Sequence, residues 1–169
     1  PNGICFTADG IILRVNKRLC ENMGLQREDV IGQPVSRRMF RTDEGYRAFA
    51  EIAAPLLSVG KEVRTEWSFE RDDGSVFVAM VSGQGINIPG FERSAVWVYE
   101  DITDRKKLER DRQEYEERLR RILENSPVGV IIGTEDGRLV FANRQHAEML
   151  GVRPENLATH HASRSWRNP

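Results

Sequence analysis

The pattern of apolar and polar residues at the start of the chain predicts a β-hairpin followed by a short helix. Two β-prone runs, residues 4–7 and 11–15, flank the turn dipeptide Asp9-Gly10, and this arrangement is typical of a hairpin. Asn16 is the predicted N-cap of the helix, because an asparagine side chain accepts hydrogen bonds from the first turn. Gly24 is predicted to end the helix in the left-handed conformation that glycine adopts readily.

A longer amphipathic helix is predicted between Asp43 and Gly60, because apolar residues recur there every three or four positions. Its apolar face consists of Tyr46, Phe49, Ile52, Ala53, Leu56 and Leu57. Before it, residues 27–31 are predicted to form one helical turn, and residues 35–41 show no clear pattern. The apolar face of the long helix must pack on another element.

Three strands are predicted after this helix. Residues 63–70 alternate between apolar and polar, Asp73-Gly74 supplies a hairpin turn, and residues 76–82 form the next strand. A glycine-rich loop over residues 83–90 is expected to lead into the last strand, residues 94–99. All strand pairs are predicted to be antiparallel, except where the first strand of the chain finds its neighbour.

Residues 101–125 are predicted to form one long, exposed helix, because they lack glycine and proline and are rich in Arg, Lys, Glu and Leu. Asp101 or Thr103 is its predicted N-cap. A narrow apolar seam runs along it and is formed by Leu108, Tyr115, Leu119 and Ile122. The expected ion pairs are Glu114–Arg118, Glu116–Arg120 and Glu117–Arg121. Two interpretations stay open: a spacer stiffened by ion pairs, or a helix that pairs with its copy in a second subunit and carries a signal along its axis.

Charge and composition argue against several classes of protein. There are 25 Lys and Arg against 26 Asp and Glu, for a net charge of -1, so no basic field indicates nucleic-acid binding. No segment approaches the roughly 20 consecutive apolar residues that a membrane-spanning helix needs. Cys5 and Cys20 lack a metal-ligand spacing and fit a reducing compartment. We therefore expect a cytoplasmic chain. Because it begins at Pro1 without an initiator methionine, in what looks like a strand, we also expect a piece of a longer protein.

The sequence pattern of the start of the chain is repeated after Ser126-Pro127, at an offset of 127 residues. The matches include Asp9-Gly10 with Asp136-Gly137, Asn16 with Asn143, Glu21 with Glu148, Gly24 with Gly151 and Glu28 with Glu155. The second copy stops after Leu157, and residues 158–169 show no strand pattern. Because a two-stranded hairpin is marginal alone, residues 126–169 are expected to lean on the first domain, on the helix or on another subunit.

The order and spacing of these elements resemble a PAS domain of bacterial signalling proteins over residues 1–103, and the front half of a second one over residues 126–157. The motifs that carry the resemblance are Ala8-Asp9-Gly10, Val15-Asn16, Met23-Gly24-Leu25, Arg71-Asp72-Asp73-Gly74-Ser75 and Asp101-Ile102-Thr103. The resemblance implies an α+β fold, with a PAS-like five-stranded antiparallel sheet that has helices on one face, followed by the long helix and a partial second repeat. It also implies that Asp101, Ile102 and Thr103 couple the last strand to the long helix.

The predicted division of the chain has three parts. Residues 1–102 form a PAS domain, residues 103–125 form a signalling linker helix, and residues 126–169 form the truncated N-terminal half of a second PAS domain with an irregular tail.

The resemblance further implies a ligand pocket between sheet and helices, and the candidate lining is Phe40, Tyr46, Phe49, Ala53, Trp67 and Phe69. The same aromatic residues would serve any core, so both interpretations stay open. Haem-binding members of this family usually use a histidine on the longest helix, and residues 43–59 contain none. Members with cysteine-linked flavin need a reactive cysteine in a characteristic motif, which is absent here. The resemblance therefore disfavours both cofactors. Cys20 is predicted to be a core residue. His160-His161 lacks a third ligand at a fixed distance, so no metal site is predicted.

These observations together predict a sensory and dimerising PAS module of a multidomain bacterial signalling protein. Family resemblance suggests a histidine kinase or a diguanylate cyclase as its downstream output domain. A change caused by a ligand or partner would move the last strand, and the linker helix, paired in a homodimer, would carry that change onward. The alternative is a ligand-free scaffold that only holds two chains together. No enzymatic activity is predicted, because the sequence contains no Ser-His-Asp set, phosphate-binding glycine loop or spaced carboxylate pair.

Overall fold

The computed structural model describes residues 2–135 and 138–151, and the chain divides into two compact units, Pro1–Lys107 and Leu108–Pro169. The first unit contains β1 (Gly3–Ala8), β2 (Ile11–Val15), α1 (Lys17–Met23), α2 (Arg27–Val30), α3 (Val35–Arg38), α4 (Asp43–Ser58), β3 (Val63–Glu70), β4 (Val76–Ile86) and β5 (Ser94–Asp101). The helix α5 (Thr103–Glu124) begins in the first unit and continues into the second, which adds β6 (Ile131–Gly133), β7 (Leu139–Ala142) and α6 (Arg144–Leu150).

The five strands of the first unit form one sheet in the order β2-β1-β5-β4-β3. Every neighbouring pair is antiparallel, which confirms the predicted five-stranded antiparallel sheet. The exception expected for the first strand is wrong, because β5 returns beside β1 in the opposite direction and places Trp97 opposite Cys5. Buried residues alternate with half-buried or exposed ones along β4 and β5, as expected where one face of a sheet is covered.

The helices pack on the covered face of the sheet and complete the core. The largest fully buried side chains of the first unit are those of Phe69, Phe77, Ile12, Leu19, Met23, Met39, Val30, Val63, Val81 and Cys5. Residues 35–41, for which the pattern gave no prediction, include the short helix α3. Thr42 caps α4, because its Oγ1 accepts a hydrogen bond of 3.1 Å from the Gly45 amide, and Asp43 is the first helical residue.

The predicted loop after residue 82 is partly strand, since β4 continues to Ile86. Gly83 lies opposite Trp97 in the sheet, and a Cβ atom on Gly83 would lie 2.2 Å from Cζ3 of that indole. Glycine here serves the close approach of a side chain to the backbone rather than a turn. The sequence pattern does not distinguish these two uses of glycine, so the predicted strand ended too early.

The helix α5 is described along its whole length and buries none of its side chains. The seam residues are among them, with exposures of 71% for Leu108, 67% for Tyr115, 43% for Leu119 and 60% for Ile122. Its ion pairs are Arg110–Glu114, Arg112–Glu116 and Glu117–Arg121, each at 3.6 Å. Of the expected pairs, Glu117–Arg121 is present, whereas Glu114 and Glu116 pair with the arginine four residues before them. Within the described residues, no helix combines the length and apolarity that crossing a membrane requires.

The second unit repeats the local geometry of the first. Asn16 and Asn143 cap α1 and α6 with φ, ψ of -88°, 165° and -83°, 169°, and Gly24 and Gly151 end them with φ of 70° and 66°. The Asn143 side chain also donates to the Leu123 carbonyl at 2.9 Å, so this half-repeat is attached to the last turn of α5. The predicted turn Asp136-Gly137, the match Glu155 and the tail with His160-His161 lie outside the described residues.

The two hairpins differ by one residue in the turn region. The Asn16 side chain accepts a hydrogen bond from the Ile4 amide, and the Asn143 side chain accepts one from the Val130 amide. The first strand of the repeat is therefore offset by 126 residues, from Ile4 to Val130, whereas the cap is offset by 127, from Asn16 to Asn143. Irregularities in pairing fall at Phe6/Thr7 and at Ile132/Gly133, and these positions obey the same smaller offset. The second copy thus has one extra residue between its first strand and its cap.

Candidate functional site

The predicted lining residues come together as a group of touching aromatic rings, the aromatic cluster, between α3, α4 and β3. The ring of Phe40 lies at its centre, with centroid separations of 5.6 Å to Tyr46, 5.0 Å to Phe49, 6.0 Å to Trp67 and 5.6 Å to Phe69. Ala53 is buried one helical turn after Phe49 on α4. Separations of this size are those of aromatic rings in contact, so the rings of the cluster pack directly against one another.

Three aromatic residues extend the aromatic cluster across the sheet and were missed at the sequence level. Trp97 lies 5.4 Å from Phe49, while Phe77 and Tyr99 each lie 5.6 Å from Phe69. The indole N–H of Trp97 donates to Thr7 Oγ1 at 3.0 Å inside the core. The alternation of apolar residues along β4 and β5 could have indicated these three, because all face the helices.

The interior around the aromatic cluster is uncharged at neutral pH. Burial raises the pKa of the Cys5 thiol to about 12, and the neighbouring Cys20 acts in the same direction. Burial is also the largest reason why the pKa of the Tyr99 hydroxyl lies well above its ordinary value. Cys20 is partly buried and packs against the core, and burial raises its thiol pKa as well. Among the described residues, no three His, Cys, Asp or Glu side chains form a group that could hold a metal ion.

The predicted coupling residues form the junction between β5 and α5. Asp101 Oδ1 accepts hydrogen bonds from the Thr103 amide at 3.0 Å and from the Thr103 hydroxyl at 2.6 Å. The Thr103 hydroxyl oxygen accepts in turn from the Val78 amide at 3.0 Å, and the Ile102 amide donates to the Val78 carbonyl at 2.8 Å. Ile102 is 2% exposed. The first turn of α5 is thereby fixed to Val78, near the start of β4.

Arg71 joins this junction to the helices. Its Nη2 lies 3.2 Å from Asp101 Oδ2, and its Nε donates to the Asn22 carbonyl at 2.7 Å, at the end of α1. Its Nη1 donates to Ser75 Oγ, and the guanidinium lies 4.6 Å from the Phe77 ring centroid. Because the side chains of Arg71 and Asp101 are 25% and 27% exposed, this ion pair is screened less than one on the open surface. The motif containing Arg71 was visible in the sequence, but its partners lie far away along the chain.

A second arginine reaches the same hairpin from the loop before α4. Arg41 Nη2 lies 2.5 Å from Asp72 Oδ1, and Arg41 Nε donates to the Glu70 carbonyl at 3.4 Å. The φ of Arg41 is 62°, and a non-glycine residue held in this left-handed region costs about 1–3 kcal/mol. Such a conformation persists where surrounding contacts hold it.

The tip of the β3–β4 hairpin forms hydrogen bonds within its own turn and to the end of α1. The Arg71 amide donates to the Ser75 carbonyl at 2.7 Å, and the Asp72 amide donates to the Met23 carbonyl at 3.2 Å. Asp73 Oδ1 accepts from the Ser75 amide at 2.8 Å, and hydrogen bonds from Ser75 lower the pKa of the Asp73 carboxyl. Lys106 of α5 forms a further ion pair of 2.6 Å with Glu66 of β3. The β3–β4 hairpin therefore contacts α1, the α3–α4 loop, β5 and the start of α5.

Comparison with known proteins agrees with this geometry. The PAS domain profile matches residues 1–104, and a second PAS domain profile matches residues 117–168. Sensor protein TdiS of Thauera aromatica is 23% identical over 191 residues, which cover 90% of this chain and 35% of that protein. The chain thus spans about a third of the length of this relative.

Solved structures show the same fold. The PAS domain of an HTR-like protein from Haloarcula marismortui is 27% identical, with a TM-score of 0.50 over 60% of this chain and 82% of that one. The PAS domain of a LuxR-family transcriptional regulator from Burkholderia thailandensis, in complex with ethanol, is 23% identical, with a TM-score of 0.51 over 60% of this chain and 89% of that one. With the profile match to well over half of its length, the chain belongs to the PAS domain family and contains a PAS sensor domain of the kind found in signalling proteins.

Proposed function

We propose that this chain is a sensory and dimerising module that passes a change in the aromatic cluster into α5 through Asp101, Ile102 and Thr103. The observation that carries the proposal is the position of the Asp101 carboxylate, which binds Thr103 in the first turn of α5 with one oxygen and Arg71 with the other. One side chain therefore touches both the output helix and the residue that reaches α1. A shift on either side changes its geometry on the other.

The route from the aromatic cluster to this carboxylate runs along β5. Phe49 of α4 touches Trp97, and Tyr99 of the same strand touches Phe69. Asp101 is the last residue of β5 and lies two positions after Tyr99. Because packed cores respond to displacement by discrete rearrangement rather than smooth deformation, a ligand or partner that moves α4 would move this strand and bias the position of α5.

In this proposal the signal passes along α5 toward an output domain that lies downstream of this chain. A relative described as a sensor protein supports this role. The chain covers 35% of that relative, so most of the relative's length lies outside the matched region. We propose an output of the histidine kinase or diguanylate cyclase type, a cytoplasmic location, and the division into residues 1–102, 103–125 and 126–169. The proposal assigns no chemical step to these residues. Their proposed role is to respond to a ligand or partner, to pair two copies of the chain and to shift the position of α5.

The variant Asp101→Ala is expected to loosen the start of α5 while leaving the domain folded. Loss of the acceptor for Thr103 should speed exchange of the Thr103 amide about tenfold, and the free energy of unfolding should fall by about 1–2 kcal/mol. The core below the junction does not involve this side chain, so the circular dichroism spectrum should keep its shape. Hydrogen exchange followed by NMR, together with urea titration, measures both quantities.

Asp104→Ala is the matched control, because it removes another carboxylate from the first turn of α5, where Asp104 is exposed. It should leave exchange of the Thr103 amide within about twofold of the parent, as expected for a surface substitution. Equal acceleration in both variants, or global unfolding of Asp101→Ala, would contradict the coupling role.

The dimer in this proposal forms along the seam of α5. Leu108, Tyr115, Leu119 and Ile122 are all exposed, and they follow the spacing of a helix that packs against another helix. The seam from Leu108 to Ile122 covers about two heptads, which is short for a coiled coil. We therefore propose a moderate affinity between two copies rather than a permanent pair.

The double variant Leu119→Lys, Ile122→Lys is expected to raise the dimer dissociation constant by at least about tenfold, because it places four like charges in an apolar contact. Native mass spectrometry over a range of protein concentrations measures it. Gln113→Lys, on the opposite side of the helix by its spacing, should leave the constant unchanged. A parent chain that stays monomeric throughout would overturn the dimer.

The ligand-free scaffold is a second candidate, and the filled aromatic cluster favours it, since its rings already contact one another. The same native spectra separate the two candidates. An extra mass that is lost on denaturation supports a ligand-binding sensor. A dimer without extra mass supports the scaffold.

A further inference from the structure

Arg41 contacts the residues on both sides of Arg71. Its Nη2 pairs with Asp72 Oδ1 at 2.5 Å, and its Nε donates to the Glu70 carbonyl at 3.4 Å. The backbone of Arg71 is therefore held from the α3–α4 loop, while its side chain reaches Asp101 at 3.2 Å. A displacement of the α3–α4 loop would therefore shift the Cα atom of Arg71, and with it the position of the Arg71 side chain.

The residues next to Arg41 connect this contact to the interior. Phe40 is the central ring of the aromatic cluster, and the Thr42 hydroxyl caps α4. Three consecutive residues thus meet the aromatic cluster, the hairpin and the start of α4. Surrounding contacts hold the backbone of Arg41 in the left-handed region. A movement of Phe40 or α4 is therefore expected to displace Arg41 as well.

We propose that Arg41 is a positioning residue that transmits movement of Phe40 and α4 to Arg71, and through Arg71 to Asp101. This gives the module a second route, along the β3–β4 hairpin, in addition to the route along β5. The inference rests on the proposed function, since it assumes that Asp101 sets the start of α5. The charged groups around this route are Asp72, Asp73 and Asp101, which face Arg41 and Arg71 from the hairpin and from β5.

The competing interpretation is an ordinary surface ion pair. The side chains of Arg41 and Asp72 are 34% and 46% exposed, and such a pair contributes little to stability. The proposal therefore predicts a small effect on unfolding and a local effect at the start of α5. A surface ion pair would have no effect at α5.

The test uses Arg41→Gly in the full 169-residue chain. Glycine adopts the left-handed conformation without strain, so the midpoint of urea unfolding should stay unchanged or rise. Exchange of the Thr103 and Lys106 amides should become about two- to fivefold faster, in proportion to the loss of a half-exposed ion pair. Unchanged exchange at both amides would overturn the proposal.

A double-mutant cycle of Arg41→Gly with Arg71→Ala tests whether Arg41 acts on α5 through Arg71. If Arg41 acts through Arg71, then Arg41→Gly should add no further acceleration in the Arg71→Ala background. Full acceleration in that background would overturn the proposed route. Asp9→Gly is the control for relief of backbone strain, since Asp9 also has a positive φ, of 48°, and its side chain contacts the Arg93 amide. It should leave exchange at the start of α5 unchanged.

The failure of this inference can be distinguished from failure of the proposed function. Acceleration in Asp101→Ala without acceleration in Arg41→Gly would overturn the role of Arg41 alone. No acceleration in Asp101→Ala would overturn the proposed function together with this route.

Discussion

The variant Gly83→Ala is expected to lower the free energy of unfolding by about 2–4 kcal/mol, because overpacking adds to the loss of a buried hydrogen bond. A Cβ atom at position 83 would lie 2.2 Å and 2.3 Å from two ring atoms of Trp97. The indole can move aside only by giving up the hydrogen bond from its N–H to Thr7 Oγ1 and the contact of its ring with Phe49. Urea titration monitored by tryptophan fluorescence measures the change.

Gly85→Ala provides a control on the same strand. A Cβ atom there would meet only the Ser94 carbonyl oxygen at 3.9 Å and the Leu57 carbonyl oxygen at 4.0 Å, both at ordinary contact distance. Its effect should stay within about 0.5 kcal/mol. If the two variants lost equal stability, the contact between Gly83 and Trp97 would not be what limits this position.

The variant Phe69→Ala is expected to lower the free energy of unfolding by about 3–5 kcal/mol. Phe69 is 2% exposed, and its ring contacts those of Phe40, Phe77 and Tyr99. Removing it leaves a cavity that rigid neighbouring rings fill only in part. The same urea titration measures this loss.

Phe91→Ala is the matched control, because it removes the same atoms from a side chain that is 42% exposed. It should cost less than about 1 kcal/mol. A similarly small cost for Phe69→Ala would mean that the aromatic cluster is loosely packed and collapses easily, and it would favour a pocket able to admit a ligand.

The features that the sequence predicted best are local. Asn16 and Gly24 bound α1 because each acts on backbone groups within four residues of itself, and Asp73-Gly74 turns the hairpin for the same reason. The internal repeat was visible because these local devices recur at fixed separations. Tyr46, Phe49, Trp67 and Phe69 also meet the rings they were predicted to meet, since their spacing places them on the covered faces of α4 and β3. Phe40 lies between α3 and α4, in a segment where the pattern predicted no element.

The features that the sequence did not predict depend on contacts between distant residues. Arg71 and Asp101 are 30 residues apart, and Arg41 and Asp72 are 31 apart. From the sequence alone, either arginine would be interpreted as a solvated charge. The partner of Arg71 depends on the register of the sheet, and the partner of Arg41 depends on the path of the α3–α4 loop. The extension of β4 past Gly83 was missed for the same reason, since it depends on the ring of Trp97 in the neighbouring strand.

The shared cap geometry of α1 and α6 has a consequence for the order of events in folding. In the second unit the asparagine and glycine caps take the same dihedral angles as in the first, although β6 and β7 form only a two-stranded sheet. Segments with such short-range contacts close in microseconds or less, whereas pairing of β1 with β5 must wait for residues as far apart as Thr7 and Trp97, which are separated by 90 positions. We therefore expect the hairpin and its capped helix to form early in each repeat, and closure of the five-stranded sheet of the first unit to be the slower step.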